Sequence, residues 1–97
     1  MADPVRNQPF HVLADHNGVD TDTYALKIDG TVVATEPVGS LQAGTITFSN
    51  VIVTQVGSHT ASVEASGPAG SAESDPFPFA VVPGLPGKPT NVRITVV

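Results

Sequence analysis

Asp29-Gly30 stands between two runs that suit a pleated backbone, Tyr24-Ala25-Leu26-Lys27-Ile28 and Thr31-Val32-Val33-Ala34-Thr35. An Asp-Gly pair can hold both central residues of a tight loop at positive φ, the turn that joins antiparallel strands without splaying them. In the first run Tyr24, Leu26 and Ile28 share one face and Lys27 points away, a period of two. A hairpin is therefore predicted at residues 24–35. An isolated hairpin is marginal in water, so the rest of the chain must supply more strands and an opposing layer.

The remaining segments read as those strands. Phe10, Val12 and Ala14 alternate with His11 and Leu13. Thr45-Ile46-Thr47-Phe48 puts Ile46 and Phe48 inward, and the next apolar residues are Val51 and Val53. The phase slips between Phe48 and Val51, which predicts a bend or bulge at Ser49-Asn50. From His59 to Ala65 the inward set is His59, Ala61, Val63 and Ala65. Gly67-Pro68-Ala69-Gly70 reads as a turn, and Ser74 to Val82 as the last strand of the unit. Pro76 and Pro78 interrupt that strand, and proline cannot donate to a ladder, so it belongs at an edge. Pro37 and Gly39 end the Thr31 run.

Composition agrees. Only 13% of the 97 residues are charged, against nine glycines and nine prolines, the balance of short strands and turns rather than long surface helices. The absence of cysteine removes disulfide scaffolds, cysteine zinc sites and thiol chemistry. The net charge is -5, and Arg6, Lys27, Lys88 and Arg93 are scattered, which argues against nucleic acid as a partner. An anionic membrane surface would repel such a chain. No apolar stretch approaches the ~20 residues of a membrane helix, and the start at Met1-Ala2-Asp3-Pro4 lacks the apolar core of a signal peptide.

Several segments carry a family resemblance. Tyr24 to Ile28 looks like a central sandwich strand, and Phe48 followed by Val51 looks like the strand and bend before a corner. Gly57 to Ala65 looks like the strand after that corner, and Ala65 through Gly70 to Ser74 like the turn beyond it. In these features residues 8–82 resemble fibronectin type III and related immunoglobulin-like modules. The resemblance implies an all-β, antiparallel immunoglobulin-like sandwich of about seven strands. Two positions depart from it: Ala14 stands about where a buried tryptophan is common, and His59 stands in place of the corner tyrosine, where it would bond backbone. No Arg-Gly-Asp triplet is present.

The domain reading follows. Residues 1–7 are an N-terminal lead-in, 8–82 the sandwich and 83–89 a Pro/Gly linker. Thr90 to Val97 alternates, with Val92, Ile94 and Val96 on one face. It is either the first strand of a following module, which the linker favours and which the Pro86–Ile94 stretch resembles, or a closing strand of this one.

One loop invites a ligand reading. Asp15, Asn17, Asp20 and Asp22 cluster between two strands, and calcium takes six to eight oxygens. The match to a calcium loop is loose: the glycine is Gly18, and Leu26 stands where a closing glutamate belongs. Asp, Asn and Gly are also ordinary loop residues. His11, His16 and His59 are too scattered to form a zinc site. A glycan platform would need exposed aromatics, and the chain has no Trp and one Tyr. No nucleophile elbow or phosphate loop is present, and so small a sandwich is expected to leave no pocket of ~300 Å3. The functional expectation is a non-catalytic structural, spacer or adhesive module without a cofactor. It would belong to a larger bacterial surface, secreted or phage virion protein, outside the cell, with neighbouring domains and protein or cell-surface partners. The alternative is a glycan- or calcium-binding module using residues 15–22.

Overall fold

The computed structural model describes residues 3–96. Its strands are β1 (Phe10–Asp15), β2 (Thr23–Ile28), β3 (Thr31–Pro37), β4 (Thr45–Val51), β5 (Gly57–Gly67), β6 (Gly70–Glu73) and β7 (Phe77–Val81). A single 3-10 turn, Val38–Ser40, follows β3. The fold is all-β and the strand pairs are antiparallel.

The hairpin forms as its residues require. Asp29 and Gly30 have φ of 52° and 82°, and β2 pairs with β3 from Ile28↔Thr31 to Thr23↔Pro37. On its other side β2 pairs with β5, the longest strand. The larger sheet thus runs β3-β2-β5, and both β6 and β7 pair with the far edge of β5. The smaller sheet is β1 paired with β4. The two sheets share one core, with Tyr24, Leu26 and Ile28 from β2 meeting Ile46, Phe48 and Val51 from β4. Ala61 of β5 and Val81 of β7 complete it, with Val53 just beyond β4.

The expected slip before Val51 is a bulge. Phe10 pairs with Val51 and Val12 with Phe48, so β4 spends one more residue than β1 over the same span. Asn50 takes φ 58°, and the chain re-aims so that Val51 and Val53 both point inward.

The C-terminal part of the sandwich corrects the sequence reading. A single strand from Ser74 to Val82 is expected; instead the chain pairs from Gly70, breaks at 74–76, and pairs again from Phe77. Ser74 repairs the break: its N–H donates to Val63 O, and its hydroxyl oxygen accepts from Val63 N–H at 3.0 Å. The backbone of Pro76 cannot donate, so the strand lets go of β5 just before it. β7 pairs only with β5 and is an edge, as its prolines demand.

Both ends add detail. Val5 makes a parallel bridge to Val82, and Asn7 N–H donates to Val53 O, so the lead-in is stitched onto the sandwich. The closing-strand alternative for residues 90–97 is not formed: positions 90–96 carry no strand, and Val92, Ile94 and Val96 are 87%, 94% and 90% exposed. The described chain measures 72 × 25 × 23 Å. Val97 lies outside the described residues. Among the described residues no helix is long and apolar enough to cross a membrane.

Candidate functional site

The acidic loop is organised by its own backbone. Asp15 Oδ1 accepts from Thr45 Oγ1 at 2.9 Å, and Asn17 Oδ1 accepts from Val19 N–H at 3.0 Å. Thr21 Oγ1 donates to Val19 O. Asp20 sits at φ 53°, and Asp22 is tied through its backbone, its N–H to Ser66 O and its C=O to Val38 N–H. These side chains do not converge: no group of three or more His, Cys, Asp or Glu that could hold a metal occurs among the described residues. The loop instead leans on Gly67, where a Cβ would fall 1.9 Å from Asp20 O. A shallow depression of about 260 Å3 lies beside it, lined by His16, Asp20, Thr21 and the β5–β6 turn.

His16, at the head of this loop, meets the hydroxyl of the buried Tyr24. Gly18 N–H donates to His16 Nδ1 at 3.1 Å, which fixes that nitrogen as an acceptor. Tyr24 O–H therefore donates to the same atom at 2.8 Å, with the two rings edge to face. Tyr24 is 1% exposed, so its hydroxyl needs this partner.

His59 is a corner residue, as its sequence position suggests. Its Nε2 donates to Gln55 O four residues back at 2.8 Å, and its Nδ1 donates to Asp29 Oδ2 at 2.6 Å. Asp29 Oδ1 accepts from Thr60 N–H, so one carboxylate ties the β2–β3 turn to the start of β5. Both ring nitrogens face oxygen acceptors, an arrangement that suits the imidazolium. The bond to Asp29, then that to Gln55, raises the His59 pKa above its ordinary value, and the bond to His59 lowers that of Asp29. The ring stacks on Phe79.

On the outer face of the larger sheet Lys27 Nζ lies 2.7 Å from Glu73 and 3.3 Å from Glu64. The bond to Glu73, then that to Glu64, raises the Lys27 pKa, and Lys27 lowers that of Glu73. This pattern crosses three strands and is a surface clasp.

A further concavity is one the sequence did not suggest. A groove of about 470 Å3 opens between β1 and the β5–β7 edge, larger than so small a sandwich was expected to leave. It exists because β1 has a partner on one side only, and because the chain steps off β5 at 74–76. Its walls are mainly apolar, Phe10, Val12, Val63, Phe77 and Phe79 among them. His11, Ser62, Ser74 and Asp75 also touch it. They do not assemble a nucleophile and base: the Ser74 hydroxyl donates to Asp75 O, Ser62 Oγ donates to Glu73, and among the described residues no hydrogen bond joins His11 to either serine.

Compared with known proteins, the chain matches no family model, and no curated protein matches it.

Proposed function

We propose that the chain is a fibronectin type III-like, immunoglobulin-like module with a non-catalytic spacer or adhesive role in a larger extracellular, cell-surface or virion protein. The observation that carries this reading is the pairing order. β1 and β4 form one layer; β3, β2 and β5, followed by the divided β6/β7 edge, form the other. With the bridged lead-in at Val5 counted as a first strand, β1 and β4 stand as the second and fifth strands, which pair in one sheet of such modules, and β2, β5 and the β6/β7 edge as the third, sixth and seventh, which pair in the other. The corner bond from His59 to Gln55 O supports it further, since these modules place a side chain there to bond backbone a few residues upstream. The Pro/Gly stretch at 83–89, leading to an alternating segment, fits an interdomain connection. The groove's walls favour an apolar contact over chemistry: of its two serines, Ser74 is held by backbone and Ser62 bonds to Glu73 outside it.

The test is an exchange in the parent protein. The module is deleted in one variant and replaced in another by an unrelated sandwich of equal length. A spacer role expects replacement to restore surface attachment or assembly where deletion abolishes it. An adhesive role expects replacement to fail as deletion does. Full function after deletion would remove both.

A further inference from the structure

Among the described residues the fold leaves a sheet edge without a partner and an alternating segment without a sheet. β1 pairs with β4 on one side and, among the described residues, with no strand on the other. His16 N–H donates toward β4, to Gly44 O, so alternation along the strand turns the N–H and C=O of Leu13 and Asp15 to the open side. The groove lies against this edge. Inward-facing Phe10, Val12 and Ala14 form one wall, and Val63, Phe77 and Phe79 the other. Phe77 is 55% exposed, an aromatic with little to cover it.

The unpaired segment is Thr90–Val96, whose sequence alternates as a strand does. Val92, Ile94 and Val96 present one apolar face, and Asn91, Arg93 and Thr95 a polar one. An extended segment with this alternation buries one face only when it joins a sheet. Beyond the prolines at 83, 86 and 89 the segment touches little of its own body: Val92, Ile94 and Val96 stay exposed, and Asn91, at φ 54°, must straighten for the segment to pair as a strand.

We propose that Thr90–Val96 of one copy of the chain adds as a strand to the free edge of β1 in a second copy, its apolar face filling the groove beside Phe77. Main-chain hydrogen bonds supply affinity, and the alternating side chains in the groove supply register, as in other strand additions. Charge is compatible: Arg93 lies on the outward face of the donated strand, on the same side as Asp15 of the acceptor, in a chain of net charge -5. The inference concerns the 97-residue chain with itself and competes with the interdomain-connection reading for one segment: a following module that took Thr90–Val96 into its own sheet would leave none to donate.

Sedimentation of the full chain from micromolar to millimolar concentration tests it, with amide hydrogen exchange at both ends of the range. Expected is concentration-dependent self-association in which the amides of Val92–Val96 and of Leu13 gain protection together. Ile94→Asp places a charge in the apolar face at a site that is 94% exposed, so the sandwich still folds; it should remain monomeric and lose both protections. A wild-type chain that stays monomeric at millimolar concentration with Val92–Val96 unprotected overturns the proposal. So does association that survives Ile94→Asp, or protection of Val92–Val96 that is independent of concentration, which would mean that the strand folds back on its own copy.

Discussion

His59 Nδ1 and Asp29 Oδ2 meet at 2.6 Å, joining the two-residue β2–β3 turn to the start of the longest strand. The pair sits where β4 has ended and β5 begins, and the second ring nitrogen closes the corner on Gln55 O. Only the doubly protonated ring donates at both nitrogens, so this corner is strongest when His59 is charged and Asp29 ionised.

The pH dependence follows. The His59 pKa is raised in the folded chain, so its contribution is whole below the ordinary value of 6.5 and is lost as pH rises through the raised value. The Asp29 pKa is lowered, so its contribution is present above the ordinary carboxylate range and is lost as pH falls through the lowered value. The corner is therefore complete between those limits, in mildly acidic solution. Thermal unfolding followed by circular dichroism should show Tm falling from mildly acidic to alkaline pH. Asp29→Asn keeps an oxygen for Thr60 N–H and removes the charge, so it should flatten that fall. An unchanged slope in the variant would mean that another group titrates.

Truncating the core should be costly. Tyr24 and Phe48 are each 1% exposed and belong to the one core between the two sheets. Replacing either with alanine should cost about 3–5 kcal/mol by urea denaturation, the range for large aromatics in a core. Tyr24→Phe keeps the ring and removes only the hydroxyl bonded to His16, for an expected loss of about 0.5–1.5 kcal/mol. A Tyr24→Phe cost equal to that of Tyr24→Ala would place the energy in the hydrogen bond rather than in packing.

Much of this was legible in the sequence, for local reasons. Asp29-Gly30, the face of Tyr24, Leu26 and Ile28, and the slip before Val51 are written in neighbouring residues, and the structure realises each of them. His59 as a backbone-bonding corner was legible from position; its second partner, Asp29, was not, because the two are thirty residues apart. Lys27 with Glu64 and Glu73 is likewise a product of pairing order, invisible until β2, β5 and β6 are neighbours. Ser74–Val82 was misread because alternation does not say where a strand changes its hold on its partner; Pro76 marked the place, and Ser74 made the break affordable in hydrogen bonds. The groove depends on a strand that is missing from the outer side of β1, and a sequence pattern records the strands that are present.

Calcium should find little at residues 15–22. Asn17 Oδ1 is taken by Val19 N–H, and Asp15 Oδ1 is engaged by Thr45. A titration to millimolar calcium should leave the amide resonances of residues 15–22 in place. Saturable shifts confined to this loop would revive the ligand-binding alternative.

Gly67 offers the sharpest test of how the loop is seated. Its φ is not in the left-handed region, so conformational freedom is not why glycine stands there. The reason is space: an added Cβ would lie 1.9 Å from Asp20 O and 2.9 Å from Asp20 C, backbone atoms that cannot swing aside. That backbone is pinned, because Asp22 N–H donates to Ser66 O at 2.8 Å. Gly67→Ala must therefore push the 19–22 loop off β5 or bend β5 itself, and should cost about 1–3 kcal/mol, the usual range for overpacking. Gly39→Ala is the control, since nothing lies within 4 Å of its Cβ position and its φ is not in the left-handed region; it should stay within about 0.5 kcal/mol of the parent. Urea midpoints of the two variants decide the matter. If Gly67→Ala is as mild as Gly39→Ala, the loop yields freely and does not brace the end of β5. If it is costly, amide shifts should spread from Asp20 to Ser66 and leave the His59 corner untouched.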